Sequence, residues 1–143
     1  MILNSMTHFE TDFRFPETYS LFTVFNLEQG LNILRDIRAK DTQNAVVLSP
    51  PQAACSMGIP WWMTLMNRLR TEAPPDLALV DVLDCGNQAG RAISALGSNQ
   101  KHIVFDPTSP QNQAVVMFAR SRGATVLPLR PDNPAWQHLV SAP

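Results

Sequence analysis

One stretch of the sequence constrains the fold more than any other. Residues 79–87 read L-V-D-V-L-D-C-G-N, an apolar run that ends abruptly in Asp84-Cys85-Gly86-Asn87 and then gives way to a helical pattern. Such a run is typical of a strand that is buried on both faces of a parallel sheet. The polar residues that follow it would emerge at the carboxyl edge of the sheet, where α/β proteins place their binding sites.

Four further segments repeat this pattern of a short apolar run followed by residues at helical spacing. The predicted strands are 20–25, 45–48, 77–83, 102–105 and 125–129. The alternation predicts an α/β fold with about five parallel strands joined by right-handed crossovers. Two arrangements stay open: a truncated, half TIM-barrel-like sheet, or a flavodoxin-like three-layer sandwich with helices on both faces.

Helix start and stop signals fit this alternation. Asn26 suits an N-cap, and Gln29 three residues later completes a capping box. Asn87 is predicted to cap the helix after the third strand, and Gly97 is predicted to end that helix. The residues expected to face the core from the next helix are Ala114, Val115, Met117 and Phe118.

The first 18 residues differ from the rest of the chain. They show no clear periodicity, although Phe9, Phe13 and Phe15 stand among charged residues. The aromatic content predicts an N-terminal arm over residues 1–18 that packs on the domain or on a partner, with disorder as the alternative. Residues 19–143 contain no linker or low-complexity segment, so we predict a single α/β domain there.

Charge and composition exclude several classes of protein. The 11 basic and 12 acidic residues give a formal net charge of −1. No Lys/Arg cluster supplies the electrostatic footprint of a nucleic-acid-binding protein. No apolar run is long enough to cross a bilayer, and the N-terminus lacks a secretory signal. We therefore expect neither nucleic acid nor a membrane as a partner, and we expect a cytoplasmic location.

The cysteines and histidines do not indicate a metal or disulfide framework. Cys55 and Cys85 are too few for such a framework and are expected to be free thiols. His8, His102 and His138 are scattered without the spacing of zinc ligands. Because a glycine-rich phosphate loop is also missing, we predict no cofactor and no metal.

In a parallel sheet every strand delivers its carboxyl end to the same edge. The candidate site residues that this edge collects are Asn26, Ser49, Asp84, Cys85, Asp106 and Arg130. We interpret them as a site for a small anionic or polar ligand, in which Arg130 binds an anion and Asp84 acts as acid or base. The alternative interpretation is that these residues cap helices and end strands.

Several of these segments resemble one family, the class II metal-dependent fructose- or tagatose-bisphosphate aldolases. Residues 22–29, F-T-V-F-N-L-E-Q, are similar to the family's first-strand pattern F-N-V-x-N-x-E-Q. Residues 46–49 followed by Ala53-Ala54 resemble its second strand and S-x-G-A. Residues 83–86, L-D-C-G, resemble L-D-H-G, and 103–109, I-V-F-D-P-T-S, resemble V-M-I-D-G-S. The order and spacing agree over about residues 20–130.

The resemblance implies a scaffold without the family's reaction. The family folds as a (β/α)8 barrel, and this chain has room for about five of the eight units. Asp84 matches the aspartate that transfers a proton in the family. Cys85 stands where the family has a metal-binding histidine, and Pro107 stands in place of the glycine of D-G-S. The resemblance therefore supports a half-barrel-like fold and argues against aldolase activity.

Two hypotheses about function follow. We favour a non-catalytic small-molecule-binding or interaction module that forms a homodimer, because a five-stranded arc leaves two open edges and an uncovered inner face. The alternative is a small lyase or sugar-phosphate enzyme that uses Asp84 as the base and Arg130 for the anion. A receiver-like signalling domain is disfavoured, since Asn26-Leu27 replaces the acidic pair that such domains need.

Overall fold

The computed structural model describes residues 15–16 and 18–136. Five strands form one parallel sheet in the order β1-β2-β3-β4-β5. The elements in chain order are β1 (Ser20–Thr23), α1 (Leu27–Lys40), β2 (Asn44–Leu48), α2 (Ala53–Ser56), α3 (Ile59–Glu72), β3 (Ala78–Asp84), α4 (Ala89–Gly97), β4 (His102–Val104), α5 (Asn112–Ser121) and β5 (Thr125–Leu127). The prediction of about five parallel strands alternating with helices is confirmed, and the sheet is open rather than closed into a barrel.

The strand order distinguishes the two arrangements that the sequence left open. Each strand pairs with the next one along the chain, so every crossover moves across the sheet in the same direction. Right-handed crossovers that all move one way pass over one face of the sheet. The helices α1, α3, α4 and α5 accordingly pack side by side. The truncated-barrel arrangement therefore forms, and the flavodoxin-like sandwich does not, because no crossover reverses direction.

The larger apolar core lies between the sheet and this row of helices. Alternate residues of β2, Ala45 and Val47, point toward the helices and join a cluster with Leu34, Trp62 and Leu69. The side-chain period of a strand is two residues, so every second residue faces this layer. Trp62, from α3, is completely buried in this layer.

The opposite face of the sheet is covered by the ends of the described chain instead of by helices. We call it the inner face; its buried strand residues are Val46, Leu48, Val82, Val104 and Leu127. Trp136, which follows β5, is buried against this cluster, and Phe15 and Tyr19 pack on it from before β1. The Phe15 ring centroid lies 5.6 Å from that of Trp136 and 5.2 Å from that of Tyr19.

The residues that cover the inner face include part of the predicted N-terminal arm, and they limit where the predicted homodimer could form. Of the arm predicted for 1–18, Phe15 packs on the inner face, whereas Phe9 and Phe13 lie outside the described residues. The end of the domain predicted for 19–143 also lies outside them, beyond residue 136. Because the chain's own residues cover the inner face, the homodimer stays a prediction for which the outer edges of β1 and β5 are the available strand surfaces.

The predicted helix boundaries at Asn26 and Gly97 are confirmed, and the predicted cap at Asn87 is displaced by one residue. Asn26 caps α1, since its Oδ1 accepts from the backbone N–H of Gln29 at 2.8 Å. Gln88, rather than the predicted Asn87, is the N-cap of α4. The helix ends at Gly97, as predicted, and the chain then turns through Asn99 with φ at 75°.

The predicted inward face of α5 needs a correction. Val115 is buried, and Phe118 packs partly buried against the core, as expected. Met117, however, is 59 % exposed, and Ala114 also faces solvent. The buried stripe runs through Val116 and Ala119 instead. Apolar residues lie on both sides of this helix, so their spacing alone does not determine which stripe meets the sheet.

No helix in the described part of the chain has the length and apolar content that crossing a membrane requires.

Replacing Trp136 tests whether the chain end is an integral layer of the fold. Trp136 is 2 % exposed and covers the inner face. We expect Trp136→Ala to lower the free energy of unfolding by about 3–5 kcal/mol, because it leaves a large cavity over the sheet. Urea unfolding followed by circular dichroism measures the change. Trp61→Ala, at a partly buried position on α3, is the control and should cost less. A loss for Trp136→Ala no larger than that of the control would contradict the prediction that the chain end is an integral layer.

A second prediction concerns the close approach of α1 and α3. A Cβ atom added to Gly30 would lie 2.7 Å from Leu69 Cδ2, and Leu69 is buried in the main core. Gly30→Ala should therefore destabilise the protein by about 1–3 kcal/mol through overpacking. Gly97→Ala is the matched control, since nothing lies within 4 Å of its added Cβ. This control should be neutral or stabilising by up to about 1 kcal/mol in the same urea experiment. Equal stability of the two variants would contradict the prediction.

Candidate functional site

The carboxyl edge of the sheet carries a groove of about 340 Å³, which we call the edge groove. Loops that follow four of the strands line it with Pro51, Gln52, Asp84, Gly86, Asn87, Val104, Asp106, Pro107, Pro128, Leu129 and Arg130. This volume lies at the lower end of the range of roughly 300–1,000 Å³ for small-molecule sites. Three of the six predicted site residues, Asp84, Asp106 and Arg130, line this groove.

The floor of the edge groove contains an ion pair between Asp84 and Arg130. Arg130 Nη1 donates to Asp84 Oδ2 at 3.0 Å, and the two side chains are only 15 % and 6 % exposed for Arg130 and Asp84. The other carboxylate oxygen, Asp84 Oδ1, accepts from the backbone N–H of Gly86 at 2.8 Å. Both oxygens of Asp84 thus have a donor from the chain itself.

Ser49 connects this pair to the end of β2. Its Oγ accepts from the Asp84 N–H at 2.9 Å and donates to the Pro50 carbonyl at 3.0 Å. Its own carbonyl accepts from Arg130 Nη1 at 2.9 Å. Ser49 is completely buried and lies below the groove lining, so it positions Asp84 and Arg130 and does not itself line the groove.

Arg130 has a second carboxylate partner, which the sequence reasoning missed. Its Nε and Nη2 each donate to one oxygen of Asp132, both at 3.1 Å. Together with the bonds from Nη1 to Asp84 and Ser49, four of the five N–H donors of the guanidinium are directed at the chain. The guanidinium expected to bind an anion is therefore paired with two carboxylates of its own protein.

Asp106 lies in the wall of the groove and makes different contacts from those of Asp84. Its Oδ1 accepts from the hydroxyl of Thr108 at 2.7 Å and from the backbone N–H of Thr108 at 2.8 Å. These hydrogen bonds, that of the hydroxyl above all, lower the pKa of Asp106 below its ordinary value. Asp106 therefore contributes a negative charge to the groove at neutral pH.

On one side of the groove, Gln52 in the loop after β2 packs against Gly86 in the loop after β3. Gln52 has φ at 55°, a left-handed conformation that costs about 1 kcal/mol or more in a residue other than glycine. Gly86 has φ at 59°, and a Cβ added there would lie 3.1 Å from Gln52 Cγ. The glycine is therefore required both by its backbone conformation and by the Gln52 side chain that lies over it.

Two of the predicted site residues lie away from the groove. Asn26 caps α1 and is absent from the groove lining. Cys85 is completely buried in the core beneath the helices, and burial raises the pKa of its thiol well above the ordinary value. Alternation along β3 explains the difference, since Asp84 follows Val82 to the inner face and Cys85 points to the opposite one.

These positions also bear on metal binding. Cys85 stands where the resemblance places a metal-binding histidine, and its thiol faces the core rather than the groove. Among residues 15–16 and 18–136, no group of three His, Cys, Asp or Glu side chains could hold a metal ion. The described residues therefore do not fit the metal site of the class II aldolases.

A second buried polar cluster lies on the helix side of β3, and the sequence reasoning also missed it. Asp81 accepts hydrogen bonds from Trp62 Nε1 at 3.1 Å and from Gln100 Nε2 at 2.9 Å, and it forms an ion pair with Arg70. An acidic residue inside an apolar run is a sequence signal for such a cluster, because a buried charge needs partners.

The sequence matches no protein-family model, and no curated protein sequence is significantly similar to it.

Replacing Asp84 tests whether its ion pair is structural. Both oxygens of Asp84 accept hydrogen bonds, one from the Gly86 N–H and one from Arg130. In Asp84→Asn an NH2 group replaces one of these oxygens and faces a donor instead of accepting from it. Breaking a buried pair in this way should lower the free energy of unfolding by about 3 kcal/mol or more. Asp106→Asn is the matched control: it retains an oxygen for Thr108 at a more exposed position and should change stability by less than about 1 kcal/mol. Urea titrations of both variants measure the difference. Similar stabilities would contradict a structural role for Asp84.

Proposed function

We propose that this protein is a non-catalytic binding module, on a scaffold like a truncated class II aldolase barrel, whose edge groove takes a small polar molecule. The observation that carries this proposal is the groove itself, about 340 Å³ in volume, with Asp84 and Arg130 fixed in its floor and polar side chains around it. Its position supports the proposal, because open α/β sheets bind ligands at the carboxyl ends of their strands.

The floor is preorganised for binding. Asp84, Ser49 and Arg130 hold one another through hydrogen bonds of 2.9–3.0 Å between three loops. Side chains held in this way lose little conformational freedom when a ligand arrives, and this lowers the cost of binding. The resemblance to the aldolases is consistent with this interpretation, since the strand order is that of a barrel segment.

The same contacts disfavour the alternative, a lyase in which Asp84 transfers a proton. A general base must offer a free oxygen to the proton that it abstracts. Asp84 Oδ2 accepts a hydrogen bond from Arg130, and Oδ1 accepts one from the Gly86 N–H. Catalysis would first have to break one of these hydrogen bonds. The guanidinium that would bind the substrate's anion is likewise occupied by Asp84 and Asp132.

Titration of the ¹⁵N-labelled protein with four probes tests the proposal. Glycerol, glucose 6-phosphate, succinate and ethanolamine represent a neutral, a phosphorylated, a carboxylate and an amine compound. We expect at least one to shift the amide signals of Gly86, Asn87 and Asp106 in a saturable way, because these residues line the groove. No product of carbon–carbon cleavage should appear from glucose 6-phosphate.

Two variants localise the binding. Asn87→Trp would place a bulky ring in the groove from an exposed loop position and should abolish the shifts. Asn67→Trp, on the exposed side of α3, is the control and should leave them unchanged. The proposal fails if none of the four probes shifts the groove signals, or if a cleavage product forms in an Asp84-dependent manner.

A further inference from the structure

We propose, on the basis of the binding function above, that the ligand of the edge groove is a polyhydroxy molecule without an anionic group, such as a sugar without a phosphate group. Three features of the groove carry this inference: its charge, its unused hydrogen-bonding groups and its apolar wall. The inference reverses the expectation of an anionic ligand that Arg130 suggests in the sequence.

The charge of the groove excludes anions. Its charged lining consists of two carboxylates, Asp84 and Asp106, and one guanidinium, Arg130. Arg130 is neutralised by Asp84 at 3.0 Å and also by Asp132 at 3.1 Å. Asp106 therefore remains as a carboxylate without a cationic partner among the described residues, and its pKa is lowered by Thr108. A phosphate or carboxylate on the ligand would meet like charge in the groove.

The free hydrogen-bonding groups of the groove suit hydroxyls. Gln52 and Asn87 line the groove, and their side-chain amides have no hydrogen-bond partner among the described residues. Each amide offers an acceptor and two donors, and Asp106 adds a carboxylate acceptor. Hydroxyl groups both donate and accept, so a polyhydroxy molecule can satisfy these mixed groups. A ligand with acceptors only would offer no donor to Oδ2 of Asp106, the oxygen that Thr108 does not occupy.

The rest of the lining is apolar and rigid. It consists of Pro51, Val104, Pro107, Pro128 and Leu129, along with the glycine turn at Gly86. Small-molecule sites combine such apolar surface with a few polar groups that orient the ligand. A sugar matches both parts, because its ring presents C–H groups on its faces and hydroxyls at its edge. An amine without hydroxyl groups would gain from Asp106 alone, so the mixed lining favours a polyhydroxy molecule over a simple cation.

A matched series of hexoses tests the ligand class. Glucose, galactose and mannose are each compared with their 6-phosphates, and glucose also with glucosamine, by titration of the Gly86, Asn87 and Asp106 amide signals. We expect at least one hexose to bind roughly tenfold or more tightly than its phosphate, since only the phosphate meets the groove's negative charge. Glucosamine should bind at least as tightly as glucose, because the charge that repels a phosphate attracts its ammonium group.

The variant Asp106→Asn separates charge from shape. It removes the unpaired negative charge and keeps an oxygen for Thr108. The phosphorylated sugar should then gain affinity about threefold or more relative to the free sugar. Asp36→Asn, on the exposed surface of α1, changes the net charge equally and should leave that ratio unchanged.

The outcomes distinguish this inference from the function on which it rests. Tighter binding of a 6-phosphate than of its free hexose, or weaker binding of glucosamine than of glucose, overturns this ligand class and leaves the binding function intact. The same holds if none of the three hexoses shifts the groove signals while succinate or ethanolamine does. If no compound of either panel shifts them, the binding function itself fails.

Discussion

The direction of the crossovers is the constraint on which the rest of this structure depends. Each strand pairs with its successor, so the helices collect on one face of the sheet and none is left for the other. A closed barrel would enclose that second face, and a doubly wound fold would cover it with helices. Here the face is buried by aromatic residues from the two ends of the described chain, Phe15, Tyr19 and Trp136. The terminal segments are therefore part of the core.

The edge groove shows that the partners of an arginine decide what it can bind. Arg130 lies where a strand-end cation would meet a ligand, but two carboxylates and a backbone carbonyl already take up its donors. The guanidinium consequently joins the ends of β2 and β3 to the segment after β5. The charge left to the groove comes from Asp106, which stands apart from this network.

Much of the fold and part of the site could be predicted from the sequence. The five strands and the cap at Asn26 follow from local patterns of apolar, turn and capping residues. The shared edge also brings Asp84, Asp106 and Arg130 to one groove. Cys85 lies outside the groove because side chains alternate along β3. In the sequence Asp84 and Cys85 are simply adjacent, and this adjacency does not show that they point to opposite faces of the sheet. The pairing of Arg130 with Asp132 depends on the turn after β5, and the left-handed Gln52 depends on packing against Gly86; neither has a local sequence signal.

The cover of the inner face has a consequence for folding during synthesis on the ribosome. All four strand pairs join neighbours in sequence, and such local topology allows each unit to form soon after it emerges. Trp136, however, lies near the end of the described chain and meets Phe15 from its beginning. The inner face therefore stays exposed until almost all of the described chain has left the exit tunnel. A nascent chain that stalls before this point presents an apolar sheet face to chaperones, although its strands are already paired.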